Sequence, residues 1–195
     1  VQEVIGRIAP HDSQERFEGL GVRVIRDWGR FVSEREVEAG AARIRARRIV
    51  IATGSSPAVP PIPGLETVPY LTNETLWNLR ECPGHLIVVG GGPIGMEMAQ
   101  AHRRLGAEVT VLEGARALGR EDPEAAAVVL DRLRAEGVAI EEGVSAAEVR
   151  GEAGNLEVLA ADGRRFPGTH LLIAVGRRAN TDALNLDAAG IETTR

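Results

Sequence analysis

HLIVVGGGPIGMEMAQ, residues 85–100, runs from an apolar stretch through three consecutive glycines into a stretch of helical periodicity. Gly90, Gly92 and Gly95 satisfy the spacing G-x-G-x-x-G in the context that gives it meaning, a strand before and a helix after. Each glycine has its own task. Gly90 permits the tight turn from strand to helix, Gly92 lets the backbone come close to a pyrophosphate, and Gly95 lets the helix lie against the sheet. The helix N-terminus then presents unpaired N–H groups and the positive end of its dipole to phosphate charge. The competing reading is a glycine-rich turn that holds no ligand.

Glu113 favours the ligand. It lies 23 residues beyond Gly90, at the end of the next strand-like run, AEVTVLE. A carboxylate there can accept both hydroxyls of the adenine ribose and repels a 2′-phosphate, so NAD(H) is expected over NADP(H); Arg116 and Arg120 nearby temper that choice. Asp122-Pro123-Glu124 then starts a second helix that runs to about Ala135 and stops before Gly137. GVAIEEG supplies a third short strand, residues 144–168 alternate weakly around AGN and ADG turns, and THLLIAVGR closes with a buried strand. The expected fold is α/β, a Rossmann-like parallel sheet carrying an antiparallel β-meander insertion.

Upstream, TNETLWNLR reads as a short helix capped by Thr72 or Asn73. GSSPAVPPIPG, residues 54–64, holds four of the ten prolines and reads as a stiff connector between two bodies. Before it, PHDSQERFEGLG from Pro10 has the marks of a short helix, and VRVI, GRFV, REVEA, AARIRA and RRIVIATG those of an antiparallel meander. RRIVIATG and THLLIAVG both end in Ala-x-Gly. They read as the paired crossings where the chain leaves one domain and returns to it, with chance recurrence as the other account.

A 44% apolar share fits a folded chain, and a net charge of -5 gives no electrostatic footprint for nucleic acid or an anionic membrane surface. All 23 basic residues are Arg, which excludes a Schiff base or a lysine general base. Cys82 stands alone, so no internal disulfide or thiolate zinc cluster is available, and His11, His85, His102 and His170 lack metal-ligand spacing. No metal is expected. No apolar run approaches the roughly 20 residues of a spanning helix, and a cytoplasmic location is expected. A start at VQEV without Met reads as a piece of something longer.

Taken in order, RRIVIATGSSP, the proline connector, VVGGGPIGMEMA, VTVLE and LLIAVGRRANT resemble, over nearly the whole chain, the pyridine nucleotide-disulfide oxidoreductase family, which includes dihydrolipoamide dehydrogenase and mercuric reductase. The resemblance implies that residues 1–56 are the later part of an FAD-binding domain. Residues 57–175 would be the connector and NAD-binding domain, and 176–195 the start of the return segment. It implies that Gly90, Gly91, Gly92, Pro93, Ile94, Gly95, Met96 and Glu97 hold the pyrophosphate and nicotinamide side of NAD(H), Glu113 the adenine ribose, and that Val144 and Gly176 line the dinucleotide. Ala52, Thr53 and Gly54 match the ATG turn near FAD, and Gly29 a backbone contact to its adenine.

Glu97 is similar to the glutamate that pairs with a flavin-side lysine, and Pro93 stands where some relatives carry an aromatic gate. Such a parent would exchange electrons between NAD(H), flavin and a redox disulfide, as a homodimer joined through a C-terminal domain. The first glycine fingerprint for FAD, the Cys-x4-Cys disulfide, the later Gly-Asp and the interface domain do not occur in these 195 residues, so no catalytic residue is assigned and no turnover by them alone is expected. Two other readings stand beside it: the same two-dinucleotide architecture without the disulfide, as in an NADH oxidase or ferredoxin reductase, and a non-catalytic NAD-binding sensor module.

Overall fold

A computed structural model describes residues 2–194 and divides the chain into two compact units, Val1–Ser56 with Ala179–Arg195, and Pro57–Arg178. Val1 and Arg195, the outer ends of the expected 1–56 and 176–195 segments, lie outside the described residues.

The first unit begins with α1 (Gln2–Ile8), a 3-10 turn and α2 (Gln14–Gly19). The single helix expected from Pro10 is therefore broken, and α1 comes in addition to the elements expected from the sequence. Pro10 sits inside the 3-10 turn, and extended Ser13 restarts the helix by accepting the Arg16 N–H on its hydroxyl at 3.2 Å. Strands β1 (Gly29–Ser33), β2 (Glu36–Ala39) and β3 (Ala42–Arg45) form the antiparallel meander. The return segment holds its first strand: Phe31 donates its N–H to the Leu184 carbonyl at 2.8 Å, and Asn185 Nδ2 donates to the Phe31 carbonyl at 2.9 Å.

VRVI and RRIVIATG, expected as strands, form no strand. Alternation makes a segment able to pair, but a ladder also needs a partner backbone, and none of the described residues supplies one. Val50 is accordingly 87% exposed; Trp28, outside both segments, is 86% exposed, and among the described residues of this unit Phe31 and Ala39 are the buried apolar ones.

In the second unit the chain runs from β4 (Ser55–Pro57), at the crossing, to β5 (His85–Val89), α3 (Pro93–Leu105), β6 (Glu108–Glu113), α4 (Pro123–Ala135) and β7 (Ala139–Glu142). An antiparallel insertion of β8 (Ala146–Glu152), β9 (Asn155–Ala160) and β10 (Arg165–Gly168) precedes β11 (His170–Ile173), and β12 (Arg177–Ala179) leads back out. The main sheet is parallel with the order β11-β5-β6-β7. Both of its faces are covered, which explains the unbroken LIVV run. Leu86 and Val88 enter the core under α3 and α4, and Ile87 and Val89 enter a second core shared with the insertion. The α/β, Rossmann-like expectation holds.

The proline stretch is not only a connector. Ile62, Leu65 and Val68 are buried in the second core, and Val149 donates its N–H to the Pro63 carbonyl at 2.9 Å. TNETLWNLR shrinks to a 3-10 turn, Leu76–Asn78, because Leu71 just before it is captured by β11 through two backbone hydrogen bonds of 2.7 and 2.9 Å. The cap of this turn is Thr75, without a side-chain hydrogen bond, and not Thr72 or Asn73; the Thr72 hydroxyl accepts the Glu74 N–H at 3.2 Å just ahead of it. Asp122 caps α4 as expected, with Oδ1 accepting from Glu124 and Ala125 at 3.0 Å each. Among the described residues no helix is long and apolar enough to cross a membrane.

Glu136 pins the C-terminal ends of α3 and α4 together. Its carboxylate accepts from Arg104 Nη2 at 2.7 Å and Arg132 Nε at 2.6 Å, and its carbonyl from Arg103 Nε at 2.9 Å. The Arg104 hydrogen bond, followed by that from Arg132, draws the carboxyl from 4.5 down to about 2. A depressed folded-state value contributes stability above the ordinary carboxylate range that is lost as pH falls from about 4.5 towards 2. Glu136→Gln is therefore expected to flatten this part of the stability profile when thermal unfolding is followed from neutral to acid pH.

Candidate functional site

An open cleft of about 300 Å³ lies at the carboxyl ends of the parallel strands. The chain goes one way from β5 to β6 and β7 and returns to the other side at β11, so this is the topological switch point where open α/β sheets take ligands. The lining includes Gly90, Gly92, Glu113 and Val144 of the expected residues. It also includes Pro60, Ile62, Gly114, Ser145, Ala146, Ala174 and Val175, which the motif did not point to. Pro60 and Ile62 lie in the proline-rich stretch whose composition suggests a linker; the apolar Ile62 within it is the signal that points to burial.

The three motif glycines occupy different physical situations. Gly90 has φ +114°, and a Cβ there would stand 2.4 Å from the Ala174 carbonyl oxygen, so the turn and the neighbouring crossing both exclude a side chain. A Cβ on Gly95 would stand 2.0 Å from the Gly90 carbonyl oxygen, so α3 leans directly on the turn. At Gly92 a Cβ would meet nothing within 4 Å. That glycine borders empty space in the cleft, and its φ of -78° is open to any residue.

Gly92 caps α3, and its carbonyl accepts the Met96 N–H at 3.0 Å. Pro93, the first helical residue, has no N–H to offer, which leaves the Gly92 and Ile94 amides without a hydrogen bond to another described residue. Gly91 is already engaged, its N–H donating to Glu113 Oε2 at 2.7 Å. Glu113 Oε1 accepts the Ala115 N–H at 2.9 Å. An ionised carboxylate has about four acceptor positions, so two remain for other donors.

Val144 is buried behind the cleft, its N–H donating to the Glu113 carbonyl at 2.8 Å. Gly176, at φ +136°, accepts the Ala58 N–H at 2.9 Å. Met96 is 2% exposed and points into the core, so it can face the cleft only through its backbone. Glu97 is exposed and borders a different cavity, between α3 and α4, with Pro93, Gln100, Leu118 and Glu121.

In the first unit, Ala52, Thr53 and Gly54 form an exposed turn with Gly54 at φ +68°. Asn180 is stitched to it: its N–H donates to the Gly54 carbonyl at 3.0 Å and Nδ2 to the Thr53 carbonyl at 3.1 Å, while Thr53 Oγ1 donates to the Asn180 carbonyl at 2.8 Å. Gly29 opens β1 at the far end of the meander sequence.

Three of the histidines bond to neighbouring side-chain or backbone atoms, while His11 is exposed. His85 Nε2 lies 2.9 Å from Thr110 Oγ1, His102 Nδ1 2.8 Å from the Met98 carbonyl, and His170 Nδ1 3.0 Å from Thr169 Oγ1. Burial, with a smaller contribution from His102, pushes the His170 ring below its ordinary pKa.

The family model for pyridine nucleotide-disulphide oxidoreductase matches residues 9–195. The chain belongs to this family. A mercuric reductase of Lysinibacillus sphaericus is 40% identical over 174 residues, covering 87% of this chain and 32% of the relative. The chain thus spans about a third of the length of the curated relatives it matches. Among solved structures, the HOCl-induced flavoprotein disulfide reductase RclA from Escherichia coli superposes with a TM-score of 0.81 at 33% identity, covering 92% of this chain and 43% of that one. A ferredoxin reductase from Rhodopseudomonas palustris superposes with a TM-score of 0.79 at 27% identity, covering 93% of this chain and 48% of that one.

Proposed function

We propose that Pro57–Arg178 is the NAD(H)-binding part of an FAD-dependent oxidoreductase that passes electrons between NAD(H), flavin and a redox disulfide. The observation that carries this reading is Gly92: an open glycine at the switch-point cleft, beside free amides of a helix N-terminus. Such a place accepts a diphosphate at hydrogen-bond distance without displacing protein atoms.

In this reading the Gly92 and Ile94 N–H groups hold the pyrophosphate, aided by the positive end of α3. Glu113 uses its remaining acceptor positions on the adenine ribose, and its charge opposes a 2′-phosphate. Val144, Ser145, Ala146, Pro60 and Ile62 enclose the adenosine half, while Ala174, Val175 and Gly176 lie towards the nicotinamide half. The nicotinamide ring supplies or accepts the hydride when the cofactor is bound. Gly29 and the Ala52–Gly54 turn would contribute to holding FAD in the parent, with Glu97 supporting the flavin side. The 195 residues alone do not turn over in this account.

Calorimetric titration should show one NADH site and an affinity for NADPH at least tenfold weaker. No heat with either nucleotide would contradict the reading. The likeness to a ferredoxin reductase favours, as the second reading, the same architecture without a redox disulfide. A Cys-x4-Cys in the parent's FAD domain, or its absence, separates the two.

A further inference from the structure

The motif G-x-G-x-x-G leaves the residue between its first two glycines free, yet this chain carries a third glycine there, Gly91. Ligand approach does not explain it, because Gly91 is buried and does not line the cleft. What faces it is Glu113. A Cβ on Gly91 would stand 2.8 Å from Glu113 Cβ, 3.0 Å from Cγ and 3.1 Å from Oε2.

Both polar groups of Gly91 are spent on the end of β6 and the segment that follows it. Its N–H donates to Glu113 Oε2 at 2.7 Å, and its carbonyl accepts the Leu118 N–H at 2.8 Å. Leu118 reaches that carbonyl from a left-handed conformation, φ +50°, which a leucine adopts only when its surroundings impose it. Its side chain is buried in the core beneath α3. The segment between is fastened in turn: Ala115 donates to Glu113 Oε1 at 2.9 Å, Ala117 to Glu142 Oε1 at 2.9 Å, and Gly143 to the Ala115 carbonyl at 2.9 Å.

We propose that Glu113 is a positioning residue for the phosphate-binding turn, bracing Gly91 from one side while Leu118 holds it from the other, so that the Gly92 and Ile94 amides face the cleft before any ligand arrives. The step from turn to phosphate rests on the NAD(H) reading above; the brace itself does not. One carboxylate then joins two properties, the choice of ribose and the shape of the turn. Gly91 is glycine because the brace needs its space.

The test separates brace from ribose contact. In the nucleotide-free protein, amide hydrogen exchange followed by NMR should show Gly91 and Ala115 exchanging at least tenfold faster in Glu113→Ala, with amides in the middle of β5 much less affected. Glu113→Gln keeps one carbonyl acceptor and should bring Gly91 back towards the wild-type rate. Unchanged Gly91 exchange in Glu113→Ala overturns the proposal, whatever the nucleotides do. In the second arm, Glu113→Ala should weaken inorganic pyrophosphate, which has no ribose, along with NADH. Loss of NADH affinity with pyrophosphate binding intact would confine Glu113 to the ribose and equally overturn it. A wild-type protein that binds neither would sink the NAD(H) reading, while the exchange rates would still decide the brace.

Discussion

Gly92→Ala is expected to lower the affinity for NADH at least tenfold, about 1.4 kcal/mol, and to leave the melting temperature nearly unchanged. The added methyl group meets no protein atom within 4 Å, and the backbone at this position, φ -78° and ψ 179°, suits alanine. Alanine is a poorer helix cap than glycine by up to about 1 kcal/mol. It also restricts the unfolded chain, which offsets roughly 0.4–1 kcal/mol of that. The fold is therefore close to indifferent. A phosphate is not, because its oxygens must come to about 3 Å from the Gly92 and Ile94 nitrogens through the space the methyl group takes. Calorimetry gives the affinity and a thermal melt the stability. Unchanged NADH binding in a stable variant would place the ligand elsewhere.

Gly95→Ala, the same chemical change three residues on, should do the reverse. Its Cβ falls 2.0 Å from the Gly90 carbonyl oxygen and 3.5 Å from Val88 Cγ1, and the first of these is backbone that cannot swing aside. Either α3 lifts from the sheet or the turn at Gly90 deforms, and forced overpacking of this kind costs typically 1–3 kcal/mol and occasionally more. The upper end is expected here, about 3 kcal/mol, which for a chain of this size lowers the melting temperature by roughly 6–12 °C. Differential scanning calorimetry measures it. A melting point within a degree or two of wild type would show that helix and turn are not in contact as described.

The contrast between these glycines shows what the sequence could and could not convey. The spacing of Gly90, Gly92 and Gly95 is local, and so is the strand–turn–helix it encodes, so the parallel sheet, α3 and the Asp122 cap were all legible. The 3-10 turn at Leu76–Asn78 was not, because its extent is decided by Leu71 pairing with β11, a contact about a hundred residues distant in the chain. RRIVIATG suggests a strand for the opposite reason: its composition suits one, but pairing depends on a neighbour that the described residues do not supply.

In the cleft, Glu113 was legible from its distance to the glycines, whereas its grip on Gly91 and Ala115 appears only when the turn and the end of β6 are seen side by side. Pro60 and Ile62 were hidden by composition. Proline suggests a spacer, while burial of Ile62, Leu65 and Val68 ties the chain from Pro57 onward into the second unit and to the edge of its cleft.

Crystals of the chain soaked with NADH test the central claim most directly. The account predicts density for the pyrophosphate at about 3 Å from the Gly92 and Ile94 amide nitrogens, with the adenosine running past Glu113 towards Val144 and Ser145. An empty cleft at saturating NADH, or a nucleotide bound away from Gly92, would contradict it.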